Sequence, residues 1–95
     1  GQGQIENIYT LKVINKTQAR QDYRLSLVDS DGFQLQGKTE LSLAAGEIVD
    51  VPVSVVMTTE RAASSSQALS FKVVDSDEPE VASVAKSRFV APMNR

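Results

Sequence analysis

An all-β sandwich is the fold this sequence predicts, and three observations predict it. Apolar side chains recur at alternate positions through most of the chain, the period of a half-buried strand. Clusters of Asn, Asp, Gly and Ser interrupt that pattern roughly every ten residues and supply turns. No stretch carries the helical period. Six or seven short antiparallel strands at this spacing match an immunoglobulin-like sandwich, with a small closed barrel as the alternative. The chain has no Cys and no Trp, so such a sandwich is held by apolar packing without a disulfide.

The first strand starts at Gln4 and stops in the polar turn Asn15-Lys16-Thr17-Gln18. Tyr9, Leu11 and Val13 share its inner face, and Thr10 and Lys12 take the other. Ile8 and Ile14 break the alternation, which predicts that part of this strand is covered on both faces. A second strand spans Asp22 to Val28, with Tyr23, Leu25 and Leu27 inward, and ends in Asp29-Ser30-Asp31-Gly32. Phe33 and Leu35 begin a short strand before Gly37, and Thr39 to Leu43 is another. After the turn Ala44-Ala45-Gly46-Glu47, the residues Val49, Val51, Val53, Val55 and Met57 line one face of the cleanest alternation in the chain. Pro52 lies on the opposite face without an N–H, which predicts an edge position or a bulge.

Thr58 to Ser66, with its Ser64-Ser65-Ser66 run, reads as a polar, mobile loop. Leu69, Phe71 and Val73 mark the next strand, closed by the acidic turn Asp75 to Glu80. Val81 to Val90 is the last, anchored by Phe89 and ended by Pro92. Residues 1–3 are set aside as a disordered lead-in or tag remnant, 4–92 form the domain and 93–95 a tail.

The 95 residues suffice for one domain with a single core. A net charge of −2 gives no reason to expect nucleic acid or anionic lipid as a partner. With neither Cys nor His, thiol chemistry, zinc–thiolate and iron–sulfur ligation and the commonest general base are all excluded. No apolar run can span a bilayer and no signal peptide is evident. The domain is then either cytosolic or part of a longer chain that carries its anchor or export signal.

No catalytic, cofactor-binding or metal-binding residue is assigned, and the fragment is not expected to be an enzyme. Ser64, Ser65 and Ser66 lack a base in any recognisable motif. Asp29, Asp31, Asp75, Asp77, Glu78 and Glu80 offer oxygen ligands for calcium if the two acidic turns lie at one end of the sandwich. Asp is also the ordinary turn residue, and that reading is preferred. Asn15-Lys16-Thr17 fits the N-glycosylation pattern, but Asn is equally a strand terminator. Met57 reads as core and Met93 as tail. Lys86, Arg88 and Arg95 read as a solvated face, with anionic headgroups as the lesser alternative. Pro52, Lys12, Arg24 and Lys72 are expected to guard sheet edges against uncontrolled pairing, while a free edge could still accept a partner strand.

The run Ile5-Glu6-Asn7-Ile8-Tyr9-Thr10-Leu11-Lys12-Val13-Ile14-Asn15-Lys16-Thr17 resembles the opening of the C-terminal domain of the FixG/CcoG family of cytochrome c oxidase accessory proteins. Gly46-Glu47 with Val51-Pro52-Val53-Ser54-Val55, and Ser87-Arg88-Phe89 followed by Pro92, extend the likeness across Gln4 to Pro92. The resemblance implies a bacterial, membrane-anchored parent with two 4Fe–4S clusters that takes part in maturing cbb-type cytochrome c oxidase. It implies an Ig-like module on the periplasmic side; the fragment itself is expected to be monomeric and, having no Cys, without a cofactor of its own. Its partners would be oxidase assembly components or the parent's own redox domain. The alternative is a free-standing secreted binding domain, adhesin-like, carbohydrate-binding or calcium-dependent.

Overall fold

The period-two pattern folds into seven strands in the computed structural model, which describes residues 3–29, 32–58 and 66–91. They are β1 (Gln4–Ile14), β2 (Gln21–Leu27), β3 (Gln34–Gly37), β4 (Glu40–Leu43), β5 (Ile48–Thr58), β6 (Ser66–Asp75) and β7 (Ala82–Val90). Sheet A has the order β1-β5-β3 and sheet B the order β4-β2-β6-β7. Every pairing is antiparallel. The first six strands alternate between the sheets, and only β6 and β7 form a hairpin. The immunoglobulin-like sandwich is therefore observed, without a cysteine in the chain. Residues 1–2, 30–31, 59–65 and 92–95 fall outside the described residues, and with them most of the expected lead-in, most of the expected mobile loop and the tail.

Inward positions fuse into one core. Val13, Leu25, Leu41, Leu43, Val51, Val53, Val55, Met57, Leu69, Phe71 and Phe89 are buried together. Phe71 and Phe89 are the largest fully buried side chains. Each meets a second ring edge-on: Tyr9 with Phe71 at 4.9 Å and Phe33 with Phe89 at 5.1 Å between centroids. Ile8 and Ile14 correct the expectation of two-sided cover. They are 74% and 40% exposed, on the outer face of sheet A, over which no strand lies among the described residues. Ile14 stands opposite Ile48, itself exposed, and small exposed apolar contacts of this kind are ordinary on a protein surface and need no second layer.

Pro52 sits on the central strand of sheet A, opposite Thr10 of β1. Asn15 donates its N–H to the Glu47 carbonyl and accepts from the Gly46 N–H, both at 2.9 Å, so its backbone groups face the β5 side. Backbone groups alternate along an antiparallel strand. Those of Tyr9, Leu11 and Val13 therefore also face β5, and those of Thr10, Lys12 and Ile14 point away along the free edge. By the same alternation the Pro52 nitrogen points away from β1. There β3 has already stopped, at Gly37 opposite Val53. The proline thus occupies a local edge inside a central strand. Of the other expected edge guards, Lys12 lies on edge strand β1, whereas Arg24 and Lys72 lie on β2 and β6, which are interior. Periodicity gives each strand a face but no neighbours, which is why those two were misplaced.

Candidate functional site

The sandwich has two flanks, and the chain closes them differently. On one, it crosses directly from β3 to β4 through Lys38 and Thr39. The other flank lies between edge strands β1 and β7 and has no covalent link. Side chains close its upper half. Asn7 Nδ2 donates to the Val90 carbonyl at 2.9 Å, and the Val90 N–H donates to Asn7 Oδ1 at 2.8 Å. The Asn7 amide thus stands in for a paired strand residue. Tyr9 reaches across the same gap, its hydroxyl donating to the Arg88 carbonyl at 2.8 Å. Burial raises the Tyr9 pKa above the ordinary tyrosine value, which keeps that donor protonated.

Below Tyr9 the flank is open. A groove of about 320 Å³ runs between the strands, lined by Tyr9, Leu11, Phe71, Val73, Ala85 and Ser87, with Lys12 and Lys86 at its rim. Sheet B has four strands to three in sheet A, so the lower half of β7 has no strand above it. Ser83 and Ala85 are exposed although they share the inward face with buried Phe89. Their small side chains leave the space that the groove occupies. A second groove, of about 490 Å³, lies between β4 and β5, lined by Leu41, Leu43, Val49 and Val51. Lys38, Pro52, Glu47 and Asp50 also border it.

Asn15 is the other fixed point. It is fully buried at the end of β1. Its Nδ2 donates to the carbonyls of Ala19, Leu43 and Ala44 at 2.8, 3.0 and 3.0 Å. Its Oδ1 accepts the Thr17 N–H at 2.9 Å and the Tyr23 hydroxyl at 3.2 Å. The Thr17 hydroxyl lies between Asn15 Oδ1 and the Ala19 carbonyl, at 2.7 and 2.8 Å, with one proton to give. Three carbonyls on one side and two donors on the other fix the amide orientation. The nitrogen a glycan would need is enclosed, so Asn15-Lys16-Thr17 is a structural corner. Burial, and then the Asp75 carboxylate, raise the Tyr23 pKa.

The acidic turns do not meet. Tyr23 is opposite Asp75, and Asp29 lies six positions farther along the chain, so the two turns flank opposite ends of β2, roughly 20 Å apart. Asp75 is buried, and its Oδ1 accepts the N–H groups of Asp77 and Glu78 at 2.9 and 3.2 Å. Among the described residues no three acidic side chains are grouped to hold a metal ion. Met57 is core, with Gln67 Nε2 at 3.8 Å from its sulfur. Lys86 and Arg88 are exposed on β7, and Arg88 Nε donates to Ser66 Oγ at 2.6 Å. Asp31, the Ser64 to Ser65 stretch, Met93 and Arg95 lie outside the described residues. Sequence reasoning gave Asn7 no role and made Tyr9 simple core. The available signal was a tyrosine hydroxyl on a long first strand, which must find an acceptor once its ring is packed.

The fold recurs in known proteins. A family model described as "IG-like fold at C-terminal of FixG, putative oxidoreductase" matches residues 1–92. A crystal structure of a FixG-related protein from Vibrio parahaemolyticus superimposes with a TM-score of 0.87 at 32% identity, covering 96% of this chain and 83% of that one. None of the curated proteins compared matches the chain. The chain belongs to the family of Ig-like domains found at the C-terminus of FixG.

Proposed function

We propose that this domain is a non-catalytic interaction and positioning module. In this reading it closes a membrane-anchored iron–sulfur protein of FixG/CcoG type that takes part in maturing cbb-type cytochrome c oxidase. The observation that carries the reading is the family match over residues 1–92. The residue chemistry supports it, since a chain without Cys or His offers no thiolate or imidazole to a cluster or a copper ion. The architecture also supports it, because a sandwich whose β1–β7 flank is latched above and open below can hold a partner without reacting with it. The domain then works on the periplasmic side of the inner membrane, against oxidase assembly components or the parent's own redox domain.

Deleting residues 4–92 from the full-length parent tests this. Assembled oxidase, read from its haem spectrum and oxygen consumption, should fall while the parent's cluster signals persist in electron paramagnetic resonance. Oxidase at its normal level would overturn the reading, and so would loss of the cluster signals. An alkaline phosphatase fused after Arg95 should be active, and an inactive fusion would place the domain on the other side. An upstream sequence with an export signal but no membrane helices or cysteine motifs would instead favour a free-standing secreted binding domain.

A further inference from the structure

We propose that the open flank binds an extended acidic peptide segment of a partner protein, added to the free edge of β1 as a fourth strand of sheet A. The inference deepens the interaction-module reading and rests on it, but its test uses the domain alone.

Four observations converge on this occupant. The first is the unequal strand count: sheet A lacks the strand that would cover Ser83 and Ala85 of β7. The second is the backbone. Thr10, Lys12 and Ile14 direct N–H and C=O groups away from β5, and the structure gives those groups no partner among the described residues. An unpaired row of this kind is the template for strand addition. The third is shape. Side chains of a guest strand alternate, so every second one would drop into the groove over Leu11, Phe71 and Val73. The Asn7 and Tyr9 contacts stop the guest at its upper end, leaving room for about five to seven residues.

The fourth is charge. Lys12 and Lys86 border the groove and no carboxylate does, in a chain whose net charge is −2. Arg88 and Lys72 add positive charge on the outer face of the β6–β7 hairpin, where no acidic residue stands among positions 66–74 and 82–90 of that face. Acidic side chains on the guest's outward positions would lie beside Lys12, whose cross-strand neighbour on its other side is Asp50 of β5. The groove between β4 and β5 lacks this combination. Pro52 removes a donor from its edge, and there two carboxylates, Asp50 and Glu47, outnumber the single cation Lys38.

The probe is an acetylated, amidated peptide of about seven residues, valine alternating with glutamate, titrated into the 15N-labelled domain. The amides of Thr10, Lys12 and Ile14 should shift and become protected from exchange. The lysine counterpart of the peptide should bind about tenfold more weakly. Lys12→Glu with Lys86→Glu should invert that preference. Thr10→Pro removes only an outward donor, so it should abolish binding with little change in melting temperature. Should Thr10→Pro unfold the domain, the inverted preference of the charge variant still decides the matter. Absence of binding at millimolar peptide overturns the proposal, as does equal binding of both peptides. Shifts confined to β7 or to Ile48–Pro52 overturn it as well.

Discussion

Asn7 and Val90 lie 83 residues apart and exchange two hydrogen bonds, so that a side-chain amide does the work of a strand across the flank where the two sheets have no covalent connection. Together with the Tyr9 bond to Arg88 it fastens β1 of one sheet to β7 of the other. Asn7→Ala should cost about 1–2 kcal/mol, since both bonds are partly solvated and water can replace them. Tyr9→Phe should cost about 1 kcal/mol. Asn7→Asp should do no better than alanine, because a carboxylate cannot donate to the Val90 carbonyl. Urea denaturation measures all three.

Asn15 is more demanding, because its partners are buried. Asn15→Asp keeps size and acceptor but turns a carboxylate towards the carbonyls of Leu43 and Ala44. A charge in that enclosure, with three acceptors opposing it, should cost more than about 3 kcal/mol. The variant should be unfolded or nearly so by circular dichroism, whereas Lys16→Ala, on the exposed neighbour, should melt like the parent.

The tyrosines make stability fall at alkaline pH. Both Tyr9 and Tyr23 are raised above 10.0 in the folded chain, chiefly by burial. Above pH of about 10 the unfolded chain loses these protons while the folded chain holds them. It then binds more protons than the unfolded chain, so stability declines with rising pH until the folded values are passed. Below that window the contribution is complete. Stability measured from pH 8 to 11.5 should therefore drop above about 10, and Tyr9→Phe with Tyr23→Phe should flatten that drop.

Gly37 ends β3 at a φ of +123°, a conformation that side chains rarely adopt. A Cβ there would also stand 3.3 Å from the Pro52 carbonyl oxygen and 3.4 Å from the Val53 Cα, both backbone atoms that cannot swing aside. Gly37→Ala should cost about 1–3 kcal/mol by thermal melting. Gly46→Ala, also at positive φ (+74°) but with open space around it, should cost less.

Much of this fold was legible because one face of each strand is buried and the other is wet. Tyr23, Leu25 and Leu27 in β2, and Val49 through Met57 in β5, declare their faces by composition alone. Pairing was not legible. Nothing local to Arg24 or Lys72 says that their strands are interior, and nothing near Ile8 says that no layer covers it. The candidate site was the least legible part. Asn7 finds its partner 83 positions away, and the groove beneath it arises from a difference in strand count between sheets. Asn15 falls between these cases: its place at a strand end suggested a structural role, and the three carbonyls and two donors around its amide supplied the reason.

Amide hydrogen exchange tests the central claim most directly, that the β1–β7 flank is latched above and open below. The Val90 amide should be protected, because Asn7 Oδ1 holds it. The outward amides of Thr10, Lys12 and Ile14 should exchange orders of magnitude faster than those of Leu11 and Val13, which pair with β5. A fast Val90 amide, or protection at Thr10 and Lys12 equal to that at Leu11, would contradict the account.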